Sequence, residues 1–171
     1  MAEDLNYYST LIAVADDCPV TAAEVPRARG GKPTVAVLQY ELLSGAPYGL
    51  TQEDVLFETW LRRQDLPADL SGARRAELRK EFFSRPQACL RSSPLAKRYG
   101  WGLLFDRDGR IALCPMESEE YRRLVGDAVE DAVEDAVEGA VEGAVGGAGN
   151  GRAEGGKHGV SVLKALRSRR S

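Results

Sequence analysis

Histidine is all but missing from this chain. The single copy, His158, sits in a glycine-rich stretch, so residues 1–157 contain none. That removes Ser-His-Asp and Cys-His catalysis from the body, together with most zinc and iron sites. Cysteine is scarce too. Cys18, Cys89 and Cys114 are too few and too scattered for a disulfide scaffold or a zinc site, so no metal or cofactor is expected and a reducing cytoplasm is the simplest home. No run of 18 apolar residues is present, which argues against a membrane-spanning helix. The opening MAEDLNYY is acidic and lacks a basic region followed by an apolar stretch, so it does not read as a signal peptide.

What is present falls into three charge regimes. Residues 1–123 are nearly balanced in charge. Residues 124–151 hold seven acids and no base, and residues 152–171 hold six bases and one acid. The expected organisation is a globular domain over 1–125, an acidic repeat and glycine-rich linker over 126–159, and a short basic segment over 160–171. A body of that size can bury about 65% of its unfolded surface, enough for an independent core.

Asn6–Ala15 reads as a strand, and Asp16–Pro33, with its prolines and Gly30-Gly31, as a long loop. Thr34–Leu43 alternates, Ala36, Leu38, Tyr40 and Leu42 against Val35, Val37, Gln39 and Glu41, and is also expected to be a strand. Thr51 and Asp54 have capping-box spacing before a helix that should stop near Asp65. A more polar helix is expected over Ala73–Phe83. Gly100–Phe105 and Arg110–Cys114 read as a hairpin around Gly109. Ser118 should cap a third helix whose first turn holds Glu119 and Glu120. The class is α+β, an antiparallel sheet of about four strands covered on one face. Valines from Val129 to Val145 recur every four residues, so their stripe drifts by about 40° per repeat around a helix. Asp127–Glu138 can extend the third helix, glycines beyond Gly139 should melt it, and Val160–Arg170 reads as a short basic helix.

The densest chemistry lies in Gln87–Gly102. As an extended approach to a strand, Lys97, Tyr99 and Trp101 share one face, while Arg98, Gly100 and Gly102 share the other. With Arg91 nearby, these cations can grip a phosphate or carboxylate, and Tyr99 or Trp101 can stack a ring. Arg27, Arg29, Gly30, Gly31 and Lys32 resemble an anion-binding nest, although the order is wrong for a P-loop. Arg29 and Lys32 are therefore weaker candidates, which gain weight only if they fold beside Arg91 and Arg98. Cys89, flanked by Arg85 and Arg91, is the one candidate nucleophile or redox thiol, without a histidine to serve as its base. Asp16, Asp17 and Glu24 supply oxygen atoms of the kind Mg²⁺ takes, but acidic loop residues more often cap turns. Lys164, Arg167, Arg169 and Arg170 form a basic end, yet the near-neutral body argues against nucleic acid as the partner.

The blocks NYYSTLIAVADDCPV, KPTVAVLQYELL, TQEDVLFETW and CLRSSPLAKRYGWG resemble a small bacterial family, domain of unknown function 6157, over about Leu5–Leu124. VLKALRSRR resembles that family's C-terminus. The resemblance implies no particular activity. It does imply that the acidic repeat and glycine stretch are an expansion between the third helix and the C-terminal segment. Three readings stand: a non-enzymatic module for a small anionic ligand, an enzyme using Cys89, and a structural interaction domain.

Overall fold

A computed structural model describes residues 4–142 and 159–168. Four strands form one sheet: β1 (Thr10–Ala13), β2 (Trp101–Phe105), β3 (Ile111–Pro115) and β4 (Ser161–Lys164). Their spatial order is β3-β2-β1-β4. The β2-β3 and β1-β2 pairs are antiparallel, and β4 joins β1 in parallel, with Leu11 opposite Val162. Five α-helices surround the sheet: α1 (Val35–Gly45), α2 (Gln52–Leu61), α3 (Gly72–Phe83), α4 (Pro94–Arg98) and α5 (Glu119–Glu142). The class is α+β.

Strand alternation divides the core in two. Ile12, Leu103, Phe105 and Ile111 face one side and pack with Ala36 and Leu43 of α1, Val55 of α2 and Leu95 of α4. Leu11, Ala13, Leu104 and Cys114 face the other side and pack with Tyr121 and Leu124 of α5. Both faces are therefore covered, not one. The second cover comes from α5, whose amphipathic first turns lie against the sheet.

Local signals account for most boundaries. Thr51 and Asp54 form the expected capping box, with the Thr51 N–H donating to Asp54 Oδ2 at 3.0 Å. The helix they start ends at Leu61 instead of Asp65. Asp106 Oδ1 accepts the N–H groups of Asp108 and Arg110, both at 2.9 Å, and Gly109 adopts φ +76° to close the β2-β3 turn. Ser118 Oγ accepts the Tyr121 N–H at 3.2 Å and caps α5.

Four expectations are corrected. Thr34–Leu43 is not a strand but the cap and body of α1; Thr34 Oγ1 accepts the Val37 N–H at 3.3 Å, and Ala36, Gln39 and Leu43 are buried at helical spacing. The first strand is only Thr10–Ala13, because Ser9 takes φ +43° and breaks the extended run. Val160–Arg170 is not a helix: Ser161–Lys164 is the fourth strand, completed by parallel pairing with β1. Helix α5 runs past Glu138 and through Gly139 to Glu142, and the glycines further on lie outside the described residues. Residues 143–158 of the expected linker, and the residues Arg169 and Arg170, lie outside the described residues.

Candidate functional site

A cleft opens where the loop after β1 crosses the N-terminus of α1 and the end of α4. It has two adjoining lobes of about 510 and 470 Å³, within the range of small-molecule sites. Arg27, Arg29 and Tyr99 line both lobes, and Arg98 lines the larger one. Thr34, Val35 and Ala36 form its helical wall.

The loop reaches this position through specific ties. The Glu24 N–H donates to the Tyr99 carbonyl at 2.9 Å, and Trp101 Nε1 donates to the Glu24 carbonyl at 2.8 Å. Ala23 N–H donates to Glu117 Oε2 at 2.8 Å. Gly100 takes φ +74°, and a Cβ there would stand 3.0 Å from the Ala22 carbonyl oxygen. Only glycine allows both that backbone angle and that approach. Pro26 is buried, and the chain then turns at Gly30 (φ +66°) and Gly31 (φ +82°), with Arg29 and Lys32 bridged across the turn. Two successive residues at positive φ are what a type I′ turn demands. Arg27 and Arg29, two residues apart, both reach the cleft.

Its electrostatics are cationic. Glu24 is the one carboxylate in the lining, against the three guanidinium groups of Arg27, Arg29 and Arg98. Among the described residues none of these arginines makes an ion pair; the salt bridges lie elsewhere, such as Arg79 with Asp54 at 3.1 Å. The first turn of α1 has no acidic residue, and its free N–H groups carry the positive end of the helix dipole.

The sequence candidates separate under this geometry. Arg98, Tyr99 and Arg29 come together. Arg91 does not join them. Its Nε donates instead to the Lys164 carbonyl of β4 at 2.9 Å. Trp101 holds the loop and lies 5.4 Å from the Tyr40 ring, so it supports the cleft without lining it. Lys97 and Lys32 also lie outside the lining. The extended reading of Lys97–Gly100 is corrected: Lys97 and Arg98 close the short helix α4, and the strand starts only at Trp101. Gly102 admits no ligand, because the Tyr121 ring occupies the space a Cβ would need, at 2.9 Å.

Cys89 is half-buried, and its sulfur receives the Tyr7 hydroxyl at 3.5 Å. Burial, and then the bond to Cys89, push the Tyr7 phenol up to about 12. Tyr7 therefore stays protonated near neutrality and offers the thiol a donor, not a base. Asp16 and Asp17 hold the C-terminal segment: Lys164 Nζ donates to Asp16 Oδ1 at 2.7 Å, and the Ser168 N–H to Asp17 Oδ2 at 2.9 Å. The residues that sequence reasoning missed are Thr34, Val35 and Ala36. Reading α1 as a strand hid its N-terminus, although Pro33-Thr34 is a proline followed by a capping residue.

The fold and site define a small α+β protein with an arginine-lined cleft at a helix N-terminus. Residues 2–136 match the family of unknown function DUF6157, and the chain belongs to that family. The match ends within α5, ahead of β4. No curated protein and no solved structure matches the chain. No described helix is long and apolar enough to cross a membrane.

Proposed function

We propose that this protein is a non-enzymatic cytosolic module that binds a small phosphate- or carboxylate-bearing ligand in the cleft. The observation that carries the reading is the convergence of Arg27, Arg29 and Arg98, without ion-pair partners among the described residues, around Tyr99 and the first turn of α1. Guanidinium groups grip carboxylate and phosphate through paired N–H donors, and each such bond contributes about 1.5–3 kcal/mol. Tyr99 offers a ring face to the non-ionic part of the ligand. The lining supplies one carboxylate and no thiol, which favours binding over covalent chemistry.

The test is calorimetric titration of the full chain, at low salt, with inorganic phosphate, pyrophosphate, citrate and a nucleoside monophosphate. At least one of these is expected to bind. Arg98→Ala and Arg29→Ala should each weaken that binding by about tenfold or more, with the melting temperature unchanged. Affinity that ignores both substitutions would refute the assignment.

A further inference from the structure

Helix α5 carries an apolar ridge out of the body. Tyr121 and Leu124 are buried against the sheet, but Val129, Val133 and Val137 remain 57–59% exposed. A groove of about 700 Å³ runs beside them, with Ala132 and Ala136 along it and Val162 and Lys164 of β4 at its near end. The four-residue repeat sorts this helix into rows. An alanine row makes a low channel next to the valine ridge. Asp127, Asp131 and Asp135 flank one side, and Glu130, Glu134 and Glu138 the other. No base interrupts α5 after Arg123.

We propose that this ridge is a docking face for an amphipathic helix of another protein, one whose apolar ridge is bordered by lysine and arginine. Residues four apart form the ridges that interlock in the commonest helix–helix packing, with axes crossing near −50° and about 8–10 Å apart. Valine and alanine rows side by side supply such a ridge and the groove next to it. Charge selects the occupant. A second α5 would bring its own carboxylate rows to within about one Debye length, where repulsion is little screened. A basic helix instead neutralises both acidic borders while its long side-chain stems cover the valines. The base of α5 is fixed, since the Tyr121 hydroxyl accepts the Val14 N–H at 2.8 Å, so the ridge is presented from a rigid root. This inference does not depend on the anion cleft.

Fluorescence anisotropy with three labelled synthetic probes tests it on the full chain. The first is a leucine/lysine helix with leucines four apart, the second a scramble of it, and the third its leucine/glutamate counterpart. The ordered basic peptide is expected to bind at least tenfold more tightly than the scramble, and the acidic peptide not to bind. Val133→Glu should weaken the ordered peptide tenfold or more although it adds a carboxylate. Val137→Gln, which keeps a good helix former and the net charge, should weaken it in the same direction, with circular dichroism unchanged in both variants. Arg98→Ala should have no effect. Equal binding of ordered and scrambled peptides, or indifference to both valine substitutions, would mean bare charge attraction and overturn the proposal. A neutral-pH dimer in sedimentation, lost in Val133→Glu, would overturn it by giving the face to a second copy.

Discussion

Arg91 and Lys164 stand 73 positions apart, yet the Arg91 Nε donates to the Lys164 carbonyl oxygen at 2.9 Å. The Arg91 carbonyl accepts the Leu166 N–H at 2.9 Å in return. A side chain of the kind that binds anions is here spent on fastening the last strand. Arg91→Ala is expected to cost about 1 kcal/mol and to speed amide exchange at Ala165, whose N–H donates to the Ala13 carbonyl. Anion binding in the cleft should stay unchanged, which separates this clamp from Arg98.

Gln52 ties three segments from a fully buried position. Its Oε1 accepts the Leu90 N–H at 2.8 Å, and its Nε2 donates to the Leu5 carbonyl. Leucine at this position would keep the volume but strand both main-chain groups. Each buried unpaired group costs about 1–3 kcal/mol, so denaturant unfolding of Gln52→Leu should show a loss of about 3 kcal/mol.

Gly102 lies under the ring of Tyr121. A Cβ would stand 2.9 Å from that ring and 3.1 Å from the Cys114 carbonyl oxygen, and neither can retreat freely. Gly102→Ala is expected to destabilise by about 2 kcal/mol, as overpacked cores do. Weakened protection of the Val14 amide, which the Tyr121 hydroxyl accepts, would report the displaced ring.

Lys164, and after it Arg167, hold the Asp16 carboxyl below the usual carboxylate range. A carboxylate depressed in the folded state contributes stability above its unfolded value, near 3.9. It loses that contribution as pH falls through the folded value. Attachment of the segment around Lys164 and Arg167 should therefore weaken below about pH 4, with no change between pH 6 and 8. Asp16 lies at the surface, so the effect is small and salt-sensitive. Amide exchange at Ala165, followed between pH 3 and 6, should show this acid loosening, and Asp16→Asn should flatten it.

Much of the fold was legible where chemistry is local. The capping box at Thr51 and Asp54, the Asp106–Gly109 turn and the Ser118 cap each act within a few residues. Thr34–Leu43 misled because a short, largely apolar segment satisfies a two-residue and a 3.6-residue period at once. Its neighbours decided the matter: Pro33 and Thr34 start a helix, and Ala36 and Leu43 then cover one face of the sheet. The last strand was illegible for another reason. Val162 becomes a strand residue only by pairing with Leu11, about 150 positions away, and no local signal records that partner. The cleft was half legible. Arg98, Tyr99 and Arg29 were named from their types, but their meeting depends on Gly100 and Trp101 folding the loop back.

The segment that completes the sheet lies beyond the acidic repeat, so the repeat falls between two anchored ends. Closing a longer connection is entropically cheap, about 0.6 kcal/mol for each doubling of its length. Gaining or losing one Ala-Val-Glu-Asp unit would therefore leave the body intact, while lengthening or shortening the helical arm by about 6 Å and rotating its tip by about 40°. Reach and aim of this arm can thus be retuned in discrete steps by the number of four-residue units, without a single change to the folded core.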